Sequence, residues 1–388
     1  MVQESIEQKS PSQSEPTKPP RLRVLIVAPS LDILGGQAVQ ANRLLKQLEK
    51  VSSLEVSLLP VNPSLPGPLR LLQKVKYLRT VATSLLYVFT LLRSMQGYDV
   101  IHIFAASYFS FLLAPVPAIL VARLFGRKTL LNYRSGEAED HLRRWQRIVL
   151  PFMRLVDRIV VPSAYLVRVF GKYDLPASAI PNFVDLAAFR FKSRVMVRPI
   201  FLSNRNFEPS YNVHCTLRSF AIIQARFPDA SLILVGGGSQ RAELEALAKK
   251  LRLSNVSFEG RVFPARMSEF YEKADIFLNS PDIDNMPTSL IEAFACGLPI
   301  VTTDAGGIPV IVKHEETGLI IPMGDHEAMA RSAIRLLEDP GLALRIVEKA
   351  RADCEQYTWE RVQAKWLEVY NELSAINRNS IQSDEMVT

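Results

Sequence analysis

The sequence predicts an α/β protein built from two doubly wound, Rossmann-like parallel sheets that face each other across a central cleft. Three observations carry this. Short apolar, β-branched runs alternate with helix-period segments. The alternation starts afresh after about residue 198. The chain has 388 residues, 48% of them hydrophobic, which is enough to fill two separate cores. Sheets of this kind take ligands beyond the carboxyl ends of their strands, so the cleft is the expected site.

Taken in order, residues 1–21 read as a flexible tail: MVQESIEQKSPSQSEPTKPP is polar and proline-rich, with no basic-then-apolar leader pattern. RVLIVAP (23–29) opens a first domain over 22–190. It is followed by Gly35-Gly36 and the helix-period stretch QAVQANRLLKQLEK. LEVSLLP, DVIHIF, TLLNY and RIVVPS supply its further strands. TVATSLLYVFTLL (80–92) is too short to span a bilayer. Because it follows Arg70, Lys74, Lys76 and Arg79, it reads equally as an interfacial basic amphipathic helix or as a core helix. IFAASYFSFLLAPVPAILVA (103–122) is uncharged, but it holds Pro115 and Pro117 between strand-like segments and is expected as a helix packed on the sheet.

A hinge near 185–200 leads to a second domain over 199–355, with strands PIFLSN, ASLILVGGG, VSFEG, ADIFLNS, LPIVTTD and GLIIP. YTWERVQAKWLEVYNEL (357–373) is an aromatic-rich amphipathic helix within the segment 356–376, and 377–388 reads as a second flexible tail.

Charge and cysteine content narrow the function classes. Net charge is +7, yet residues 1–198 hold 27 Lys and Arg against 13 Asp and Glu, and residues 199–388 hold 19 against 26. A basic first half suits an anionic membrane surface or an acidic substrate; no nucleic-acid-binding module appears. Cys215, Cys296 and Cys354 have no paired spacing, which points to a reducing compartment without disulfides or a zinc site. Gly236-Gly237-Gly238 lacks the lysine and hydroxyl residue of a Walker motif and reads as a tight turn. No G-x-G-x-x-G follows the first strand, which disfavours a nicotinamide cofactor. Asp282-Ile-Asp284 is read as a chance pair rather than a metal site, and His102 as a packed structural histidine.

The chemistry-bearing stretch is DNMPTSLIEAFACGLP (284–299). Ser289-Leu-Ile-Glu292 matches a capping box, in which Glu292 closes back on the helix start. The same helix start offers free N–H groups and a positive dipole end to a diphosphate, with loop and first-turn carboxylates left for sugar hydroxyls. From this stretch alone both readings stand.

The order IPNFVDLAAF, LSNRNFEP, SLILVGGGSQRAELEALAKKLRLSNVSFEGRV, the stretch above and TTDAGGIPVIVKHEETGLIIPMGDHEAM resembles the family 4 retaining glycosyltransferases over about residues 22–375. The resemblance implies the GT-B fold, with the acceptor in the first domain, a nucleotide-diphosphate sugar in the second and the last helix crossing back onto the first. It implies Glu292 on the nucleotide ribose, Asp284 on the transferred sugar, and Asn285, Met286, Pro287 and Thr288 along the sugar and diphosphate. Gly35 and Gly36 match its glycine loop, Arg205 its phosphate-binding arginine, and Arg261 and Val262 the neighbourhood of the base.

Three departures follow. Asp284 replaces a glutamate, Ser210-Tyr211-Asn212 stand where a lysine is usual, and Arg134 stands near the position of a common histidine. Arg134 is open to two readings, a catalytic contact with phosphate or sugar and an ion pair with Glu137 or Asp140. The implied activity is retaining, metal-independent transfer from a UDP- or GDP-type sugar, in the cytoplasm or at the inner membrane face, to an acceptor of the lipid-linked kind used in envelope or exopolysaccharide synthesis. A donor-binding protein that no longer catalyses, and a nucleotide-sugar epimerase, are the alternative classes.

Overall fold

The computed structural model describes residues 21–31, 35–63 and 76–385. Two six-stranded sheets form, each parallel throughout. The first holds β1 (Leu22–Ala28), β2 (Leu54–Pro60), β3 (Val100–Ala105), β4 (Lys128–Tyr133), β5 (Arg158–Val161) and β6 (Ser178–Ala179), in the order β2-β1-β3-β4-β5-β6. The second holds β7 (Ile200–Ser203), β8 (Ser231–Val235), β9 (Val256–Gly260), β10 (Ile276–Asn279), β11 (Ile300–Thr303) and β12 (Leu319–Ile321), in the order β12-β11-β10-β7-β8-β9. Eleven of the twelve strands coincide with apolar runs read from sequence. The exception, β6, is two residues long and too short to show a pattern.

The strand orders place the site. In the first sheet the chain reverses direction between β1 and β3, and in the second between β7 and β10. Such switch points open a crevice where neighbouring loops diverge. Gly35-Gly36 follows β1, Asn204-Arg205 follows β7 and the 280–287 segment follows β10, so the candidate residues gather at these crevices.

Two features fix how the domains are joined. Arg194 is 4% exposed in the linker. Its guanidinium donates to the carbonyl oxygens of Lys192, Tyr271, Ala274, Cys296 and Gly297 and to Asp275, pinning the linker to the second sheet's domain. Helix Trp359–Glu385 then returns to the first sheet, where Trp359, Val362, Trp366, Val369, Tyr370 and Leu373 are buried beside Val24, Ile26, Phe104, Leu130 and Val160. Its backbone runs past the expected end at residue 376, since nothing from Ser374 to Glu385 is a proline or glycine that would stop it. Residues 1–20 of the expected first tail, residues 386–388 of the second, and Arg70 and Lys74 lie outside the described residues.

The stretch 103–122 departs from a single helix. Its first residues complete β3, and the rest forms two helices, Phe109–Leu113 and Pro115–Leu124. Ala114 separates them with φ −120 and ψ −62, and Pro115 cannot continue a preceding helix because it lacks an N–H. The 80–92 stretch lies in helix Lys76–Ser94, which is apolar on two faces: Tyr87 and Leu91 are buried, while Leu78, Val81, Leu85, Phe89 and Leu92 are exposed. No described helix is long and apolar enough to cross a membrane. The three cysteines are free and buried.

His102 on β3 is fully buried, between Phe104 and Trp366. Burial, reinforced by the charge of Arg134, lowers its pKa to about 3. An unfolded chain protonates this imidazole near its ordinary value, whereas the folded chain does not. Stability is therefore unaffected by His102 above about pH 6.5 and declines as pH falls from there towards about 3. Urea unfolding across that window is expected to show this loss, and His102→Gln is expected to lessen its slope. An equal slope in both proteins would contradict it.

Candidate active site

Helix Thr288–Ala295 starts directly after Pro287, whose φ of −66 suits a helix entry, and no side chain caps its first turn. The capping box is not formed. Glu292 turns into the cleft instead: its Oε1 accepts from Arg43 Nη2 at 2.8 Å and its Oε2 from the Tyr271 hydroxyl at 3.0 Å. The residue is only 6% exposed, so these donors offset the cost of burying its carboxylate. Arg43 belongs to helix Gly36–Leu48 of the first domain, which makes this ion pair a bridge across the cleft.

The loop before that helix is held from both sides. Asn182 Nδ2 donates to the Met286 carbonyl at 2.6 Å, and the Ser163 hydroxyl donates to the Asn285 side chain. On the other side Gly306 and Gly307 press against the loop backbone. A Cβ on Gly306 would collide with the Asp284 carbonyl oxygen, and one on Gly307 with that of Asn285. Gly136 approaches from the first domain, its would-be Cβ lying 3.1 Å from Asp284 Cα. Met286 Sδ also accepts from the Asn182 N–H, at 3.2 Å, so the side chains of Asn285 and Met286 are both engaged by protein.

Arg205 and Asp284 form an ion pair, and Arg205 Nη1 donates to the Ser289 hydroxyl at 3.2 Å. The guanidinium carbon lies 4.6 Å from the centre of the Tyr211 ring, so the residue region that lacks a lysine supplies an aromatic face instead. Burial pushes the arginine's pKa below its usual value. Asp282 accepts from Asn212 at 3.1 Å, so both carboxylates of Asp282-Ile-Asp284 are engaged by protein donors. Gly236 and Gly238 fit against the backbone of Arg205 and Phe207 too closely for any Cβ, in keeping with the tight turn read from sequence.

A cavity of about 230 Å³ collects Gly35, Gly36, Arg43, Arg205, Arg261, Val262, Thr288, Ser289 and Glu292. A second, of about 440 Å³, continues from Gly36, Arg205 and Thr288 to Gln37, Arg134, Asp284, Asn285, Met286 and Pro287. Every donor-binding or catalytic residue that the resemblance implies lines one of the two. A Cβ added at Gly36 would meet no atom within 4 Å, so the backbone there faces open space. Arg134 does not pair with Glu137 or Asp140. Asp140 is taken by Arg143, Arg144 and Tyr108, and the Arg134 side chain donates only to Asn132 Oδ1, at 3.0 Å, among the described residues.

Sequence reasoning missed Arg43 and Tyr271, and read Ser289 as a cap rather than as a partner of Arg205. Arg43 had a usable signal, since it lies seven residues after Gly36 and so on the same helix face. Tyr271 had none. Chemically, the arrangement offers two guanidinium groups and an uncapped helix start for an anion, next to a buried carboxylate able to accept from hydroxyls.

Residues 34–188 match the family model described as Glycosyltransferase Family 4, and residues 187–353 that described as Glycosyl transferases group 1. N-acetyl-alpha-D-glucosaminyl L-malate synthase of Bacillus anthracis is 30% identical over 182 residues, covering 46% of this chain and 47% of that protein. Phosphatidyl-myo-inositol mannosyltransferase of Mycolicibacterium smegmatis is 28% identical over 243 residues, covering 59% and 61%. The chain thus spans about half the length of the curated relatives it matches. Among solved structures, Anabaena HepE in complex with UDP-glucose superposes with a TM-score of 0.71 at 17% identity, covering 91% of this chain and 100% of that one. That likeness establishes the GT-B fold.

Gly307→Ala tests the seating of the loop. The added methyl forces the Asn285 backbone away, and the unfolding free energy is expected to fall by about 1–3 kcal/mol. An unchanged denaturant midpoint would mean that the loop does not rest on this glycine.

Proposed function

Because this chain belongs to the glycosyltransferases of group 1 and family 4, we propose that it transfers a sugar from a nucleotide-diphosphate sugar to an acceptor hydroxyl, with retention and without a metal. The observation that carries this is the cleft itself. Glu292, the start of helix Thr288–Ala295, Arg205 and the open glycine at 36 line one cavity contributed by both domains.

In this reading Glu292 accepts from the ribose hydroxyls through lone pairs left free by Arg43 and Tyr271, since an ionised carboxylate has about four acceptor sites. The diphosphate lies between the helix start and Gly36, facing Arg205. Val262 and Pro264 give the base an apolar wall beside the Arg261 backbone. Asp284, held by Arg205, points its remaining acceptor capacity toward the transferred sugar. Placement of the acceptor hydroxyl against the anomeric carbon, and cations facing the departing diphosphate, supply the rate enhancement. A UDP-type donor is favoured over GDP by the fold neighbours solved with UDP or UDP-glucose.

The acceptor is proposed to be lipid-linked and presented at an anionic membrane. Support comes from the exposed Leu78, Val81, Leu85, Phe89 and Leu92 face of helix Lys76–Ser94, beside exposed Phe109, Leu120 and Leu124 of the neighbouring helices. Residues 56–136 carry nine Lys and Arg and a single acidic residue, Asp99. Exposed apolar side chains within a segment of basic sequence suit an anionic headgroup layer.

Two measurements test these statements. A thermal-shift panel of UDP- and GDP-sugars, followed by diphosphate release on the hits, should yield at least one donor that is turned over. Glu292→Ala should abolish its stabilising shift, and unchanged binding and turnover in Glu292→Ala would contradict the site. Binding without release would mark a donor-binding protein, and sugar conversion without acceptor an epimerase. In sedimentation with vesicles, the chain should pellet with phosphatidylglycerol and not with phosphatidylcholine alone. Leu85→Glu/Phe89→Glu should remain in solution, and equal recovery of both proteins with either lipid would exclude this face.

A further inference from the structure

Arg134 enters the cleft from the end of β4, and its charge is held in an unusual way. Arg134 is half-buried, and an arginine withdrawn from water commonly meets a carboxylate. Among the described residues this one has none; its side-chain partner is the neutral amide of Asn132, and its guanidinium carbon lies 5.6 Å from the Phe104 ring centre. A neutral acceptor orients a cation without cancelling it, so the full charge remains for whatever occupies the cavity shared with Gly36 and Asp284.

The amide is itself held. Asn132 is fully buried, and its Nδ2 donates to His102 Nε2 at 2.9 Å. His102 Nδ1 then lies 2.7 Å from the hydroxyl of Tyr370, which is fully buried on helix Trp359–Glu385. His102 and Asn132 stand on neighbouring strands, with His102 paired to Leu130 and Phe104 to Asn132, so both point to the face covered by that helix. A neutral imidazole has one donor and one acceptor nitrogen. With Nδ1–H donating to Tyr370, only Nε2 can accept, and the Asn132 amide must turn its NH2 to His102 and its oxygen to Arg134. The alternative orientation would aim NH2 at a guanidinium. Each link therefore fixes the polarity of the next.

We infer that Tyr370, His102 and Asn132 form a positioning chain that runs from the C-terminal helix to the cleft and holds the Arg134 cation toward the donor's diphosphate. The three are positioning residues, since only Arg134 reaches the cavity. The inference rests on the nucleotide-sugar reading above and extends it to residues buried behind the site.

UDP and uridine, titrated calorimetrically into the full chain, separate a held cation from a generally weakened fold, because only UDP carries the diphosphate. Arg134→Ala is expected to weaken UDP binding about tenfold and to leave uridine unchanged. Asn132→Ala and the near-isosteric Tyr370→Phe should each weaken UDP several-fold and spare uridine. In the Arg134→Ala background, Asn132→Ala should have no further effect, because the cation it positions is gone. Equal losses for UDP and uridine, or a full additional loss in the double variant, would overturn the positioning chain and leave the nucleotide-sugar reading intact. An Arg134→Ala variant that binds UDP like wild type would overturn both the chain and the role of Arg134. Failure of wild type to bind UDP would remove the reading on which the chain rests.

Discussion

Burial of the Glu292 carboxylate is the constraint around which this molecule is arranged. A carboxylate this poorly hydrated needs donors, and no single domain supplies them: Tyr271 comes from the second and Arg43 from the first. The two Rossmann-like halves must close on one another for the charge to be satisfied. The cleft is therefore a polar seam as well as an opening, and any ligand that replaces these contacts has to supply hydroxyl donors of its own.

The same economy governs the loop that precedes Glu292. Asp284 to Pro287 run between glycines 306 and 307 on one side and Gly136, Ser163 and Asn182 on the other. Close backbone approach at Gly306 and Gly307 leaves no space for a side chain, while Ser163 and Asn182 hold the other side through theirs. A loop held so firmly presents the helix start and Arg205 in fixed geometry, and preorganised donors of this kind need little rearrangement when an anion arrives.

Much of this was legible from the chain alone. Parallel strands buried on both faces read as continuous apolar runs, so RVLIVAP and ADIFLNS announced themselves, and the restart after residue 198 separated the two sheets. The grouping of Gly36, Arg205 and Glu292 was legible through the order of segments. Other features were hidden for physical reasons. Ser289-Leu-Ile-Glu292 fits a capping box by local rules, yet the charge of Arg43, 249 positions away, draws Glu292 elsewhere. The break at Ala114 divides a stretch that hydropathy renders uniform. The links from Tyr370 through His102 to Asn132 join residues far apart in sequence, and no periodicity registers them.

The central claim is that the start of helix Thr288–Ala295, facing Gly36, receives a nucleotide's paired phosphates while Glu292 holds its ribose. A crystal structure of the chain with UDP tests it most directly. The account predicts phosphate oxygens about 3 Å from the backbone N–H groups at Thr288 and Ser289 and from Arg205, with a ribose hydroxyl on Glu292. Phosphates found away from this helix start, or a ribose without contact to Glu292, would contradict it.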